Sequence, residues 1–351
     1  MTGLTGIGTP ALWIGFTSIV LGLLALDLGV FHRGAHEVRF REALTGTVTR
    51  VALALLFNGW VYWQFGAQRG LEFLTGYLIE QALAVDNMFV FLLVFSTFAV
   101  PPAYQYRVLF FGIVGALATR AAFIVLGGAL LHAFHWVIYV FGAFLVLSGI
   151  KLLVRHGTEV HPERNPLFRL FRRLVPSVPE YHGARFTVVK AGRRYATPLL
   201  LVLVCIEATD VVFAVDSIPA IFAVTTDPFI VYTSNIFAIL GLRAFFFLLA
   251  GMVGRLAYLN VGLAAVMSFV GVKMLLTDVY EIPVLISLGG IASVLVLSVA
   301  ASWLWPPASA AGARARARGS AEPDAARAAA ADGRSPTRRR AVPSVTAGEG
   351  A

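Results

Sequence analysis

Two short stretches put carboxylates where apolar residues are expected. "EQALAVDN" at 80–87 and "DVVFAVDS" at 210–217 share one pattern: an acid, two residues, a bulky apolar residue, then Ala-Val-Asp and a small polar residue. Glu207 lies three residues before Asp210, so "EATDVVFAVDSIPAIF" at 207–222 carries three acids among mostly apolar residues. A charged side chain at the bilayer centre costs about 2.5–3.5 kcal/mol on insertion scales, so such a cluster needs a counterpart. On helices turning about 100° per residue, Glu80 and Asn87 share a face, as do Asp210 and Ser217, with Glu207 near Asp210. Asp86 and Asp216 fall about 100° off that face. Returning them to it requires local unwinding at Asp86-Asn87 and Asp216-Ser217. Pro219 favours the second break, because it removes the amide that would bond to residue 215.

The potential ligands Glu80, Asp86, Asn87, Glu207, Asp210, Asp216 and Ser217 are all oxygen donors. Hard oxygen sites suit Mg²⁺, Ca²⁺ or Mn²⁺ rather than Zn²⁺ or Cu⁺. The soft neighbours Cys205 and Met88 read as packing residues. A competing reading makes the acids counter-ions to Arg120, Lys151, Arg243 and Lys273. Buried pairs seldom stabilise more than an apolar replacement, and the same acid pattern twice over points instead to a site. A third reading is an intramembrane enzyme with Asp86 and Asp216 as an aspartyl dyad. The Gly-x-Gly-Asp pattern expected of membrane aspartyl proteases is absent, and a dyad leaves the other acids unused, so no enzyme is expected. A scaffold recruiting partners through basic segments is the remaining alternative. Asp27 sits near the end of the first span. His132 and His135 flank a turn at i, i+3 spacing, while His156, His161 and His182 are scattered.

Positioning these groups is the work of membrane helices. The 351 residues are 58% hydrophobic and 13% charged, with mean hydropathy +0.79. Soluble domains carry about 25% charged residues. At about 20 residues per span, nine spans are expected near 11–31, 48–66, 71–98, 107–131, 135–155, 196–222, 229–252, 257–276 and 282–305. The fold class is therefore an all-α polytopic membrane protein. Residues 156–195 form a basic loop and 306–351 an Arg/Ala-rich disordered tail. The single cysteine excludes a disulfide within the chain. The N-terminal residues lack a basic run, which predicts a retained first helix. Basic clusters at 33–50, Arg107, 155–194, Arg255 and the tail fall on one side, with Arg69 opposing. The positive-inside rule makes that side cytoplasmic and the N-terminus external. The charge of +9 then reports orientation in a cell membrane, not nucleic-acid binding.

The chain also repeats itself beyond the acids. "GALATRAAFIVLGG" around Arg120 matches "FAILGLRAFFFLLAG" around Arg243, and "GAFLVLSGIKLL" around Lys151 matches "AVMSFVGVKMLL" around Lys273. Each unit holds three spans, at 71–155 and 196–276. An odd number of spans separates matched helices, so the copies have opposite topology, the layout of transporters with sites at the repeat interface.

"LTGYLIEQALAVDNMFVFLLVFSTFAVP", "HWVIYVFGAFLVLSGIKLL" and "IEATDVVFAVDSIPAIFAVT" resemble the TerC family of integral membrane proteins, over about residues 15–305. That family is named for tellurium resistance and associated with manganese homeostasis. The resemblance implies Mn²⁺ as the transported ion and efflux as the direction, and no permanently bound cofactor is expected. It also implies that Glu80, Asp86, Asn87, Glu207, Asp210 and Asp216 occupy the family's acidic motif positions. Asp27 resembles a family position as well. Exchange of the metal for protons is chemically natural for desolvated carboxylates.

Overall fold

A computed structural model describes residues 6–31, 40–154, 169, 175–190, 192–250, 258–280 and 282–304, with the side chains of 27–31, 86 and 260 excepted. Expectations for the side chains of Asp27 and Asp86, for His156 and His161, and for the tail lie outside them. The long helices are α1 (Pro10–Phe31), α2 (Phe40–Phe65), α3 (Ala67–Thr97), α4 (Pro102–Ala133), α5 (Val137–Val154), α6 (Pro198–Phe222), α7 (Pro228–Ala250), α8 (Leu259–Leu275) and α9 (Val284–Leu304). They match the nine expected spans one for one. Among the described residues, α2–α7 and α9 are long and apolar enough to cross a membrane, while α1 and α8 hold shorter apolar stretches.

Turn chemistry sets several boundaries. Pro102, Pro198 and Pro228 open α4, α6 and α7, where the absent N–H costs nothing. Asp227 caps α7, accepting the Phe229 and Ile230 amides at 3.0 and 3.4 Å. Gly66 alone joins α2 to α3 at φ +89°, a conformation that favours glycine.

One expectation is refined and another needs correction. The basic loop contains a hairpin, β1 (Thr187–Lys190) paired antiparallel with β2 (Arg193–Ala196). Its turn uses Gly192 at φ +75°. Tyr181 Oη donates to the Phe98 carbonyl at 2.7 Å, and the Arg107 guanidinium lies 5.2 Å from the Phe186 ring centre. The loop thus docks on the α3–α4 turn. Second, α3 and α6 do not unwind at their Asp-Asn and Asp-Ser steps. Pro219 lies in the last turn of α6, which ends at Phe222, so the lost amide removes one bond near an end.

The packing carries the repeat into three dimensions. The sequence match pairs α3 with α6, α4 with α7 and α5 with α8. Correspondingly, α3 packs on α7 and α4 on α6, while α5 and α8 pack on each other. Small residues make the α5–α8 approach close. A Cβ on Gly149 would lie 2.8 Å from the Ala264 carbonyl oxygen, and one on Gly271 would lie 2.7 Å from that of Gly142. Gly149 matches Gly271 and Ala264 matches Gly142 in the repeat, so the two contacts are one contact seen from each copy. A pseudo-two-fold axis therefore passes between α5 and α8.

Candidate functional site

Arg120 of α4 is fully buried, and its guanidinium gathers both repeats. Nη1 donates to Glu80 Oε1 of α3 and to Ser217 Oγ of α6 at 2.8 Å. Nη2 donates to Asp210 Oδ1 at 3.3 Å. Unbroken helical phasing puts Asp210 and Ser217, seven residues apart, on the face that meets it. For Glu80 and Asp210, then, the ion-pair reading applies, with one arginine between two carboxylates. The pairing leaves charge over, since two acids oppose one cation. The second oxygens, Glu80 Oε2 and Asp210 Oδ2, are buried without a hydrogen-bond partner from the protein. Buried polar atoms in that condition are uncommon.

Asp216 behaves as an intact helix requires. It points away from Arg120 and accepts Ser148 Oγ of α5 at 3.1 Å. Asp216, Ser217 and Asn87 line one cavity of about 30 Å³ between α3, α5, α6 and α8. Leu83 and Phe213, a matched pair in the repeat, line it too, so the cavity sits on the pseudo-two-fold axis. Its volume suffices for a water or a small ion.

Glu207 faces α4. Its carboxylate occupies the space that any side chain at Gly115 would need, and lies 3.9 Å from the Cβ position of Gly112. One turn on, Asp210 lines a smaller cavity of about 10 Å³ with Met88, Gly112 and Arg243. The Arg243 guanidinium lies 4.3 Å from the Tyr106 ring centre. Lys151 is exposed and Lys273 half-buried. Among the described residues, no three His, Cys, Asp or Glu side chains converge as a preformed metal cage. The acids are instead divided between the arginine cluster, the axial cavity and the α4 face.

The remaining candidates fall elsewhere. His132 and His135 are exposed, and His135 Nε2 lies 3.1 Å from Asp278, which also accepts the Tyr139 hydroxyl. Cys205 is buried in α6.

Sequence reasoning missed a second polar group. Glu72 and Asp227 are buried. Arg69 bonds Glu72 at 2.8 Å and lies 3.7 Å from Asp227. Thr225 Oγ1 donates to Glu72 at 2.7 Å, and the Ile7 amide donates to Asp227 at 2.9 Å. This group ties the start of α3 to the α6–α7 turn. Its signals were an acid inside a span, at Glu72, and the Asp-Pro start of a helix at 227–228.

A family model described as "Integral membrane protein TerC family" matches residues 65–309. An uncharacterized membrane protein of Myxococcus xanthus, STKORF319, is 55% identical over 84% of this chain and 93% of its own length. The Alx protein of Escherichia coli K12, provisionally described as a membrane-bound redox modulator, is 48% identical over 83% of this chain and 94% of its own. A membrane protein of Rickettsia bellii is 40% identical over 83% and 96%. No solved structure matches.

Proposed function

This multi-pass membrane protein belongs to the TerC family, and from that premise we propose that it exports a divalent cation, Mn²⁺, from the cytoplasm in exchange for protons. One observation carries the reading. Asn87 and its repeat counterpart Ser217 line a cavity on the pseudo-axis together with Asp216, and beside it Glu80 and Asp210 keep one buried oxygen each without a protein donor. Two carboxylates against one guanidinium leave a net negative charge that burial makes costly. A metal ion or a proton neutralises it, and alternation between the two is the chemistry of an antiporter. Asn87, Asp216 and Ser217 supply oxygen ligands at the axis, while Glu80, Asp210 and Glu207 supply charge nearby. The protein spans the cell membrane with its N-terminus external. It has no permanent cofactor, catalyses no covalent chemistry, and takes the metal ion, protons and lipid as its partners, not nucleic acid.

The redox description of the Alx relatives enters here only indirectly. With one cysteine, this chain cannot cycle an internal disulfide, and metal export is the route by which we propose it bears on cellular redox state.

The test is Mn²⁺ flux in proteoliposomes, with cellular Mn content as its counterpart. Asp216→Ala should abolish export while inserting normally, since removing a carboxylate lowers the insertion cost. Wild-type flux from well-inserted Asp216→Ala protein sinks the assignment. Zn²⁺ prefers nitrogen and sulfur ligands, so equal carriage of Zn²⁺ would contradict an oxygen site.

A further inference from the structure

The second polar group joins parts that alternating access must separate. Glu72 lies near the start of α3, in the first repeat, and Thr225, which bonds it at 2.7 Å, lies in the α6–α7 turn of the second. The side chains of Glu72 and Asp227 are 7% and 0% exposed, while that of Arg69 beside them is 30% exposed. Arg69 thus stands at the border between these acids and solvent. The segment before α1 closes over the same place. Ile7 donates its amide to Asp227 at 2.9 Å, and a Cβ on Gly6 would lie 2.9 Å from Asp227 Oδ1. Lys273 of α8 lies within electrostatic reach of Glu72. The positive-inside rule makes this end of the bundle external.

One face of α3 leads inward from the group. At 100° per residue, Glu72, Gly76, Glu80 and Asn87 fall within about 80° of one another on an unbroken helix. Gly76 packs on the fully buried Ser234 of α7, whose Oγ lies 2.9 Å from where a Cβ would be, and on Ile221 of α6. Glu80 follows with the Arg120 cluster, and Asn87 with the axial cavity.

The opposite end of the duplicated unit is held differently. Arg69 and Glu72 match Leu199 and Val202 at the start of α6, both fully buried. Acids and arginine regain hydration when a contact between them opens, whereas parted hydrocarbon is left against water. The polar end is therefore the one whose opening water favours.

We propose that Arg69, Glu72, Thr225 and Asp227, strapped by residues 6–9, form the external gate of the transport path, shut in this structure. The Glu72–Gly76–Glu80 face of α3 leads from that gate to the metal site. This deepens the transport reading above and rests on it.

Thiol accessibility tests the gate without measuring flux. In Cys205→Ala, Ser234→Cys protein, residue 234 carries the single thiol of the chain. In right-side-out vesicles a membrane-impermeant maleimide should label it slowly. Adding Arg69→Gln should raise the external labelling rate at least tenfold. Ile7→Pro, which removes the amide bonded to Asp227, should raise it severalfold. Native Cys205, buried in the half of α6 away from the gate, is the control, and its labelling should not change in Arg69→Gln protein that retains it. Equal labelling of residue 234 with and without these substitutions overturns the gate. Cys205 labelling that rises in step also overturns it, by making the group a general staple of the fold. So does labelling gained only from the opposite face of the membrane. Wild-type Mn²⁺ flux in Asp216→Ala protein, with residue 234 labelled as expected, would strike the metal assignment and leave the gate. Flux lost in Asp216→Ala with labelling unchanged by Arg69→Gln would strike the gate alone.

Discussion

Arg120 and Arg243 occupy matched positions in the two copies of the three-helix unit, yet their surroundings differ. Arg120 reaches across the interface to carboxylates of both repeats. Arg243 lies over an aromatic ring of the other repeat, with Asp210 lining the same small cavity. The backbone contacts between α5 and α8 keep the two-fold relation, and the polar contacts break it. An inverted repeat that alternates between two states must break its symmetry in each of them, and polar side chains can exchange partners at less cost than close-packed backbones can move. Asp210 bonds Arg120 and lines a small cavity with Arg243, and is the group whose partner such an exchange would change.

The comparison breaks most visibly at the arginines. Arg120→Ala leaves two buried acids without their cation and should cost about 3–5 kcal/mol of stability, the usual loss when one member of a buried pair is removed. Arg243→Ala removes a buried cation whose ring contact alone is worth about 0.5–2 kcal/mol. Denaturant unfolding in one detergent measures both. Equal losses would mean that the polar asymmetry is only apparent. In the triple variant Arg120→Leu, Glu80→Leu, Asp210→Leu, stability should return while Mn²⁺ flux stays absent.

Glycine substitutions sharpen the symmetric half. Gly149→Ala and Gly271→Ala each push a methyl into a backbone carbonyl at under 3 Å. Each should cost about 1–3 kcal/mol, as overpacking does, and by similar amounts if the two-fold relation holds. Gly241→Ala has nothing within 4 Å of its Cβ position. It should be neutral or stabilising by up to about 1 kcal/mol through helix propensity.

The smallest effect lies at one end of the α5–α8 pair. Hydrogen bonds from Tyr139 and then His135 hold the Asp278 carboxyl below its usual pKa. A depressed carboxylate stabilises the fold above its unfolded pKa, about 3.9, and that contribution is lost as pH falls through the folded value. The matched positions, Val261 and His156, cannot form this contact, because valine donates no hydrogen bond. Tyr139→Phe should therefore lower the unfolding temperature slightly at pH 6, and the deficit should shrink at pH 2.5. A deficit independent of pH would assign the loss to packing.

The nine helices were legible, seven of them long and apolar enough to cross a membrane among the described residues, because a bilayer imposes length and hydropathy on crossing segments. The repeat was legible because Arg120 and Arg243, Lys151 and Lys273, and the two Ala-Val-Asp motifs keep their order in both copies. The hairpin at 187–196 was less visible, since its signal is only a short alternation around Ala191-Gly192 within a basic segment. The unwinding expected at Asp86 and Asp216 rested on the premise that every acid shares one site. The intact helices instead send Asp216 to Ser148, a residue that nothing in the sequence singles out.

Residue types and spacing by themselves determined that this is a polytopic helical protein with an internally duplicated set of acids. Those properties follow from periodicity and composition, which act along the chain. Which acid meets which partner was decided only by the tertiary structure. Helical phase states the direction in which a side chain leaves its own axis, but not what lies there. That depends on how closely the neighbouring helix approaches, as Gly149 and Gly271 allow for α5 and α8, and as Gly115 allows for the carboxylate of Glu207.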